Sequence, residues 1–257
     1  MSKDQLINRT GEERNNNFGS VIIITEYKTR KDIDIYFPEY DWTKKHAIYG
    51  DFKNGRVKCP YEPRAFNVGY LGEGNYKSKE NGKITKIYST WHNMLKRCYY
   101  SKYHEKHPSY IDCIVCDEWH NFQNFAEWYD NNYYEIDNEK MCLDKDILIK
   151  GNKIYSPDTC VFVPQSINKL FTKRDVRRGD LPIGAYYKKQ NKKYGAVCNI
   201  KESVRKHLGY YDTPEEAFQA YKHFKENYIK QVANEYKDRI PEKLYYAMYE
   251  YEVEIDD

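Results

Sequence analysis

The sequence predicts an α+β fold made of several small domains, and three observations support this class. Residues 21–37 contain a β-branched apolar run followed by a period-two alternation, which is typical of β-strands. From Ile87 onward, apolar residues recur at helical spacing. Residues 183–210 return to alternation ahead of a strong helix start. A chain of 257 residues with these changes of period accommodates two or three small domains.

Composition limits the classes of protein to consider. The chain has 32% charged residues and a formal net charge of only +3, so a nucleic-acid signal must come from local clustering. No stretch has the length and apolar character of a membrane span or a secretory signal, so we expect a cytoplasmic protein with no membrane partner. The seven scattered cysteines predict reduced thiols.

The N-terminal third predicts a small β module. Residues 1–17 are polar and predict a disordered lead-in. Residues 18–75 then predict two hairpins, the second around the Asn54-Gly55 turn signal. The module suits either packing and contact with a protein partner or contact with a DNA backbone, and the sequence leaves both open. Residues 76–86 combine glycines and lysines and predict a flexible basic linker.

The central segment, residues 87–172, predicts an α+β core with two aromatic-rich helices. Spacings of three and four residues assign two sets of apolar side chains to buried helix faces: Ile87, Trp91, Met94, Leu95 and Cys98, and then Trp119, Phe122, Phe125, Ala126 and Tyr129. Cys113 and Cys116 have zinc-like spacing, but a second such pair is absent, so the sequence favours small buried thiols over zinc.

Residues 143–168 predict two strands followed by a helix. A hairpin and helix of this kind can bring Asp144 and Asn168 together around one divalent ion, which would polarise a phosphate. Lys145 and Asp146 complete the candidate catalytic group. The alternative interpretation is that Asp144 to Asp146 form a surface ion cluster and Asn168 caps a helix.

The C-terminal third predicts a three-stranded antiparallel sheet packed on a helix. A charged connector, residues 173–181, precedes this 182–238 domain. Residues 239–257 form an extension whose acidic tail predicts either a solvated end or a self-contact with a basic face. Alternation assigns five residues to one sheet face: Tyr186, Lys188, Asn199, Arg205 and His207. Between Thr172 and Tyr210 there are eleven Lys and Arg residues against three Asp and Glu residues. A basic face of this kind suits groove binding to double-stranded DNA.

The same region resembles the Apetala-type (ethylene-response-factor) DNA-binding domain. The resemblance rests on residues 208–217 (LGYYDTPEEA), Ala220-Tyr221, Gly184 and Tyr194-Gly195-Ala196. It implies a sheet that docks in the major groove, and it adds Lys193 to the five face residues. Family members read bases largely with arginines and tryptophans. Because Arg205 alone keeps an arginine at these positions, the resemblance implies a different sequence preference.

The central segment resembles phage HNH nucleases of the homing-endonuclease type, which have a ββα-metal core. The resemblance rests on Trp91-x-x-Met94-x-x-Arg97-Cys98, Val115-Cys116-x-Glu118-Trp119-x-x-Phe122-x-x-Phe125, Leu143-Asp144, Tyr155-Ser156-Pro157-x-x-Cys160 and Asn168. Members of that group often carry an Apetala-type domain at the C-terminus. The family's Asp binds metal and its His is the general base. Asp144 and Asn168 match the metal ligands, whereas Lys145 stands at the His position.

Three functions follow as hypotheses. The first is a Mg²⁺-dependent DNA endonuclease or nickase in which Asp144 and Asn168 hold the metal and Asp146 supports them. A protonated lysine cannot accept a proton, so Lys145 weakens the general-base step. The second is a catalytically inactive DNA-binding regulator. The third is an interaction protein whose tyrosine-rich surface inhibits another protein, a class that stays open because the role of the N-terminal module is unexplained.

Overall fold

The computed structural model describes residues 7–172, 180–200 and 204–255. The chain is a mixture of helix and sheet, which confirms the α+β class. It divides into two compact units, Met1–Asn131 and Asn132–Asp257. The boundary falls inside the segment 87–172, which the sequence predicts as one domain. Most of the connector 173–181, namely residues 173–179, lies outside the described residues, as do residues 1–6 of the lead-in.

The first unit begins with a four-stranded antiparallel sheet. Its strands follow chain order: β1 (Glu13–Asn15), β2 (Val21–Thr29), β3 (Asp32–Phe37) and β4 (Trp42–Ala47). Ile33, Ile35 and Phe37 are buried on one face, because alternate residues of a strand point the same way. Ile22 and Ile24 of β2 join them in the core.

Two predictions for this unit are wrong. The lead-in is not disordered up to residue 17, because β1 pairs with β2 and the Asn16 amide is buried, donating to the carbonyl of Val57 at 3.1 Å. The second hairpin is instead helix α1 (Tyr49–Lys53). Asn54-Gly55 ends this helix: Gly55 has φ +65° and its N–H donates to the Phe52 carbonyl, the left-handed conformation in which helices commonly stop.

The predicted linker 76–86 is also more ordered than expected. It contains a two-stranded hairpin of β5 (Lys79–Glu80) and β6 (Lys83–Ile84), with Asn81-Gly82 at its turn. Both turn residues have positive φ, as a tight hairpin turn requires. Asn-Gly therefore forms a hairpin here and a helix end at residues 54–55, so the dipeptide signals a turn without fixing its type.

After this hairpin, the first unit consists mainly of helices with one short strand. Its elements are α2 (Lys86–Tyr99), α3 (Ser101–His104), the short strand β7 (Ile114–Val115) and α4 (Phe122–Asn132). Thr85 caps α2 by accepting the N–H of Tyr88. Trp91, Met94, Leu95 and Cys98 are buried on α2, as the helical spacing predicts, and so are the predicted aromatic residues of α4.

The second unit combines two small sheets with two C-terminal helices. Its elements are β8 (Met141–Asp144), β9 (Ile154–Tyr155), β10 (Val161–Pro164), α5 (Gln165–Phe171), β11 (Ala185–Lys188), β12 (Lys193–Asn199), β13 (Arg205–Tyr211), α6 (Pro214–Tyr236) and α7 (Glu242–Tyr249). Thr213 and Glu216 form the capping box that starts α6. Within the described residues, no helix is both long enough and apolar enough to cross a membrane.

One core of this unit extends from the β10–α5 region into α6 and α7. Val161, Val163 and Ile167 share it with residues near the C-terminus of the chain: Ile229, Ala233, Ile240, Leu244 and Met248. The predicted 239–257 extension is therefore anchored to this core by one face of α7, and Val253 beyond that helix is also buried. In the acidic tail, the exposed Glu252 and Glu254 agree with the predicted solvated end, and Glu254 also lies 3.7 Å from the Lys150 ammonium, as the alternative of a contact with a basic residue requires. This shared core holds the sheet domain and the ββα segment in one unit.

Candidate functional site

The first candidate site lies on a ββα arrangement in the second unit. β8 pairs antiparallel with β10, and Asp144 lies opposite Val161 at the end of β8. α5 begins directly after Pro164 and contacts both strands. Asp144 and Asn168 therefore lie on contacting elements. Asn168 is half-buried, and its backbone carbonyl accepts a hydrogen bond from the Thr172 hydroxyl at 3.3 Å.

The Asp144 carboxylate is held by its own backbone. Its Oδ1 accepts the N–H groups of Asp146 and Ile147, both at 2.9 Å. Burial raises the pKa of Asp144, the charge of Asp146 raises it further, and the two backbone hydrogen bonds oppose the rise, leaving a pKa of about 6. Two neighbouring carboxylates of this kind are stabilised by a proton or by a bound cation.

Lys145 has internal partners. Its side chain is buried, and its ammonium donates to the Asn152 carbonyl at 2.7 Å and to Asp146 Oδ2 at 3.1 Å. The Asn152 amide returns a hydrogen bond to the Lys145 carbonyl. Lys145 therefore closes the turn between β8 and β9. Because its ammonium is a donor in both contacts, its geometry is that of a structural cation rather than a proton acceptor.

The second candidate site is the open face of the sheet formed by β11, β12 and β13. The strands pair antiparallel, with Tyr186 opposite Gly195, Lys188 opposite Lys193, and Asn199 opposite Arg205. Residues directly opposite one another share a face. The other face is buried against α6 through Ala185, Ala196 and Cys198, which contact Ala217, Phe218 and Tyr221. All six predicted DNA-binding residues lie on the face that α6 leaves uncovered.

A β-bulge changes which residues reach this face. Ala196 pairs with Gly209 but Val197 pairs with His207, so Leu208 is the extra residue in β13. Strict alternation from His207 places Tyr210 on the helix side, and the bulge turns it to the open side. Gly209, with φ +133°, is the sequence signal that alternation ignores, since glycine inside a strand often marks a bulge.

Tyr210 is the functional candidate that sequence reasoning missed. The Lys188 ammonium donates to its hydroxyl at 2.7 Å, and its ring lies 4.5 Å from that of His207 between centroids. Hydrogen bonds with Lys188 and then Tyr186 lower the pKa of Tyr210. Tyr186 packs flat on the sheet because Gly195 has no side chain; a Cβ there would overlap its ring.

The open face carries cations at both ends. Lys188 and Lys193 are directly opposite, an arrangement that destabilises a sheet unless something neutralises it. Lys193 pairs with Asp212 at 2.8 Å, and Lys188 has the Tyr210 hydroxyl. Arg205 and His207 are exposed at the opposite end. We name this surface, with Tyr186, Lys188, Lys193, Asn199, Arg205, His207 and Tyr210, the open sheet face.

A third group has no counterpart among the sequence predictions. Among the described residues, one set of three metal-type ligands lies within 4.8 Å, formed by Asp32, Asp34 and His46. His46 Nδ1 contacts Asp32 Oδ1 at 2.9 Å, and the His46 N–H donates to Asp34 at 3.0 Å. These contacts account for the cluster as a hydrogen-bonded group on the edge of the N-terminal sheet. Cys113 and Cys116 are not joined in disulfides, and the Cys113 thiol donates to the Ser109 carbonyl at 3.8 Å.

Comparison of the chain with protein-family models, with curated proteins and with solved structures gives no match. Functional assignment therefore depends on the geometry of the two candidate sites.

Proposed function

We propose that this protein binds double-stranded DNA through the open sheet face, with a preference for sequence. One observation carries the proposal: α6 covers one side of the sheet, while the other side presents cations, an amide, an imidazole and tyrosines to solvent. A two- or three-stranded sheet fits the major groove of B-form DNA. The resemblance of residues 184–221 to Apetala-type domains supports the same mode of binding.

The face residues divide by chemistry. Lys188 and Lys193 suit phosphate contacts, which provide affinity without sequence information. Arg205 and Asn199, paired across β12 and β13, suit base edges, because arginine matches guanine and asparagine matches adenine through two hydrogen bonds each. The exposed His207 and Tyr210 rings lie together on the same face. We expect the base preference to be set at the Asn199–Arg205 end.

Two neighbouring residues of β13 provide a matched test. Arg205 lies on the open sheet face, whereas the Lys206 ammonium lies 4.7 Å from the Phe224 ring of α6 on the other side. We expect Arg205→Ala to weaken binding to a selected duplex by roughly 5- to 150-fold and to relax one base position, corresponding to about 1–3 kcal/mol. Lys206→Ala removes the same charge and should change affinity less than about threefold.

The measurement is fluorescence anisotropy on duplexes enriched from a randomised pool. Equal effects of the two substitutions would show that net charge, rather than the open sheet face, determines binding. Failure of the wild-type chain to enrich any duplex would exclude the proposal altogether. Binding without cleavage would favour the regulator hypothesis, and inhibition of a partner protein without DNA binding would favour the interaction-protein hypothesis.

A second candidate function is DNA cleavage at the ββα arrangement. What favours it is the placement of Asp144 beside Asp146: burial and the Asp146 charge raise the pKa of Asp144, both carboxylates offer oxygen ligands, and Asn168 lies on the contacting helix. This oxygen set fits Mg²⁺, which would supply charge stabilisation at a phosphate. Asp144, Asp146 and Asn168 would hold the ion, and Lys145 would hold the turn that carries Asp146.

Nicking of supercoiled DNA with Mg²⁺ or Mn²⁺ tests this second function. We expect Asp144→Asn to abolish nicking, while Asp158→Asn, an exposed acid in the same hairpin segment, leaves it unchanged. Nicking by wild type that survives Asp144→Asn would place the active site elsewhere. If wild type does not nick but Lys145→His does, the protein keeps the fold of a nuclease without its activity.

A further inference from the structure

A basic and aromatic surface lies in the first unit, outside the sites described above. Residues 96–110 contain four Lys and Arg residues and one acid, Glu105, in a chain whose overall charge is nearly balanced. Most of this segment is exposed on α3 and the turns that follow it. Lys96, Lys102 and Lys106 have no carboxylate partner among the residues that the structure describes.

The cations and rings of this segment form one connected surface around Tyr103. The Lys96 ammonium lies 5.7 Å from the Tyr103 ring, and the His107 ring stacks on Tyr103 with centroids 4.3 Å apart. The Tyr110 ring lies 5.8 Å from Tyr103 and also 5.8 Å from the Arg97 guanidinium. We name this surface the Tyr103 patch, with the exposed Lys102 and Lys106 at its edge.

The chemistry of the patch matches a nucleic-acid backbone. Clustered lysines without carboxylate partners gain from neutralising phosphates and releasing counterions. Aromatic rings set beside the cations, with His107 exposed, add flat surfaces for sugars or unpaired bases. A solvated charged face has no need of stacked rings, whereas a face that stacks tyrosine and histidine among lysines provides both components of nucleic-acid binding.

We propose that the Tyr103 patch is a second DNA-binding surface, which contacts the phosphate backbone without reading sequence. The proposal rests on the proposed function, since it extends the contact of the same chain with DNA. The open sheet face would set the preferred sequence, and the Tyr103 patch would add affinity for every sequence.

The test compares two triple variants of the full chain on a labelled 30-base-pair duplex of mixed sequence. One variant carries Lys96→Gln, Lys102→Gln and Lys106→Gln; the control carries Lys77→Gln, Lys79→Gln and Lys83→Gln, three exposed lysines of the same unit outside the N-terminal β module. We expect the patch variant to lower the slope of log affinity against log salt by about 0.9 for each phosphate that the protein no longer neutralises. The control should leave the slope within error of wild type.

The outcomes separate the Tyr103 patch from the open sheet face. A loss of affinity in the patch variant that is equal for selected and mixed duplexes supports the patch, whereas a loss no larger than that of the control overturns it. If Arg205→Ala abolishes sequence preference while the patch variant binds as wild type, the open sheet face stands and the patch is wrong. If the patch variant loses all binding and Arg205→Ala loses none, the open sheet face is wrong.

Lys96 is half-buried, so a second variant guards against loss of folding. Lys102→Gln with Lys106→Gln changes only exposed side chains, and we expect about two thirds of the effect of the triple variant on the salt slope. An unchanged salt slope in this double variant, with wild-type thermal unfolding, also overturns the proposal.

Discussion

Two carboxylates, one in each unit, show opposite ways of holding a negative charge. Burial alone would raise the pKa of Glu62, but hydrogen bonds from Asn16, Ser20, Arg64 and the Cys59 backbone together lower it. Burial and the like charge of Asp146 raise the pKa of Asp144 to about 6, although two backbone N–H groups donate to its carboxylate. Glu62 is stabilised as an anion by its surroundings, whereas Asp144 is not. Carboxylates of the second kind are the ones expected at functional sites.

An acidic residue in a sequence motif does not by itself show whether its surroundings stabilise the negative charge. Glu62 belongs to no motif, yet its carboxylate accepts hydrogen bonds from the Asn16 amide that follows β1, from the Cys59 backbone N–H and, at 2.7 Å, from the Arg64 guanidinium. Asp144 belongs to the ββα pattern, and its charge is a cost that a proton or a cation relieves. Removing each charge should therefore change stability in opposite directions.

Glu62→Gln has the largest expected effect. Glutamine cannot form the ion pair with Arg64, and its amide N–H groups would face hydrogen-bond donors that the carboxylate had accepted. The free energy of unfolding should therefore fall by roughly 3 kcal/mol at pH 7. A lowered folded-state pKa means that the stabilisation is present above the unfolded pKa and is lost as pH falls through the folded value. Urea unfolding at pH 7 and at pH 3 measures this, and an equal loss of stability at both values would contradict the ionic role.

Lys145→Met has the next largest effect and tests whether Lys145 is structural. The methionine keeps the apolar stem but leaves the Asn152 carbonyl and Asp146 without the ammonium, which should cost roughly 2–3 kcal/mol. Lys189→Met, on an exposed turn, should change stability by less than about 0.5 kcal/mol. Equal unfolding midpoints in urea for the two variants would show that the buried ammonium contributes nothing to the turn.

Asp144→Asn has the smallest expected effect and the opposite sign. The amide oxygen can still accept the two backbone N–H groups, and the cost of the charge disappears, so unfolding free energy should rise by about 2 kcal/mol at pH 8 in EDTA. A raised folded-state pKa means that wild-type stability is full below the unfolded pKa and is lost as pH rises through about 6.

The gain of Asp144→Asn should therefore shrink towards zero near pH 4. Asp137→Asn, an exposed acid of the same unit, provides the control and should show no such profile. A gain that is independent of pH would mean that Asp144 is not a strained anion. Asp144 would then not differ from Glu62 in the effect of its negative charge on stability.

Local periodicity is sufficient for much of the fold and for one candidate site. Helical spacing identifies the buried faces of α2 and α4, and alternation identifies which side of the β11–β13 segment carries Lys188, Asn199 and Arg205. It fails at Tyr210, because one bulge at Leu208 reverses the alternation of every later residue in the strand. It also fails at residues 13–17, because polar asparagines there are ordered by partners far along the chain.

The sequence alone determined the α+β class, the amphipathic faces and the chemistry that the open sheet face and the ββα segment could present. These features depend on spacing between neighbours, and spacing is visible in one dimension. Tertiary structure decided which residues have their partners inside the protein. Lys145 donates to the Asn152 carbonyl of its turn, Glu62 accepts hydrogen bonds from Asn16 and Arg64, and Val253 packs in a core. These hydrogen bonds and packing contacts depend on partners that only folding brings within reach, so no local sequence pattern predicts them.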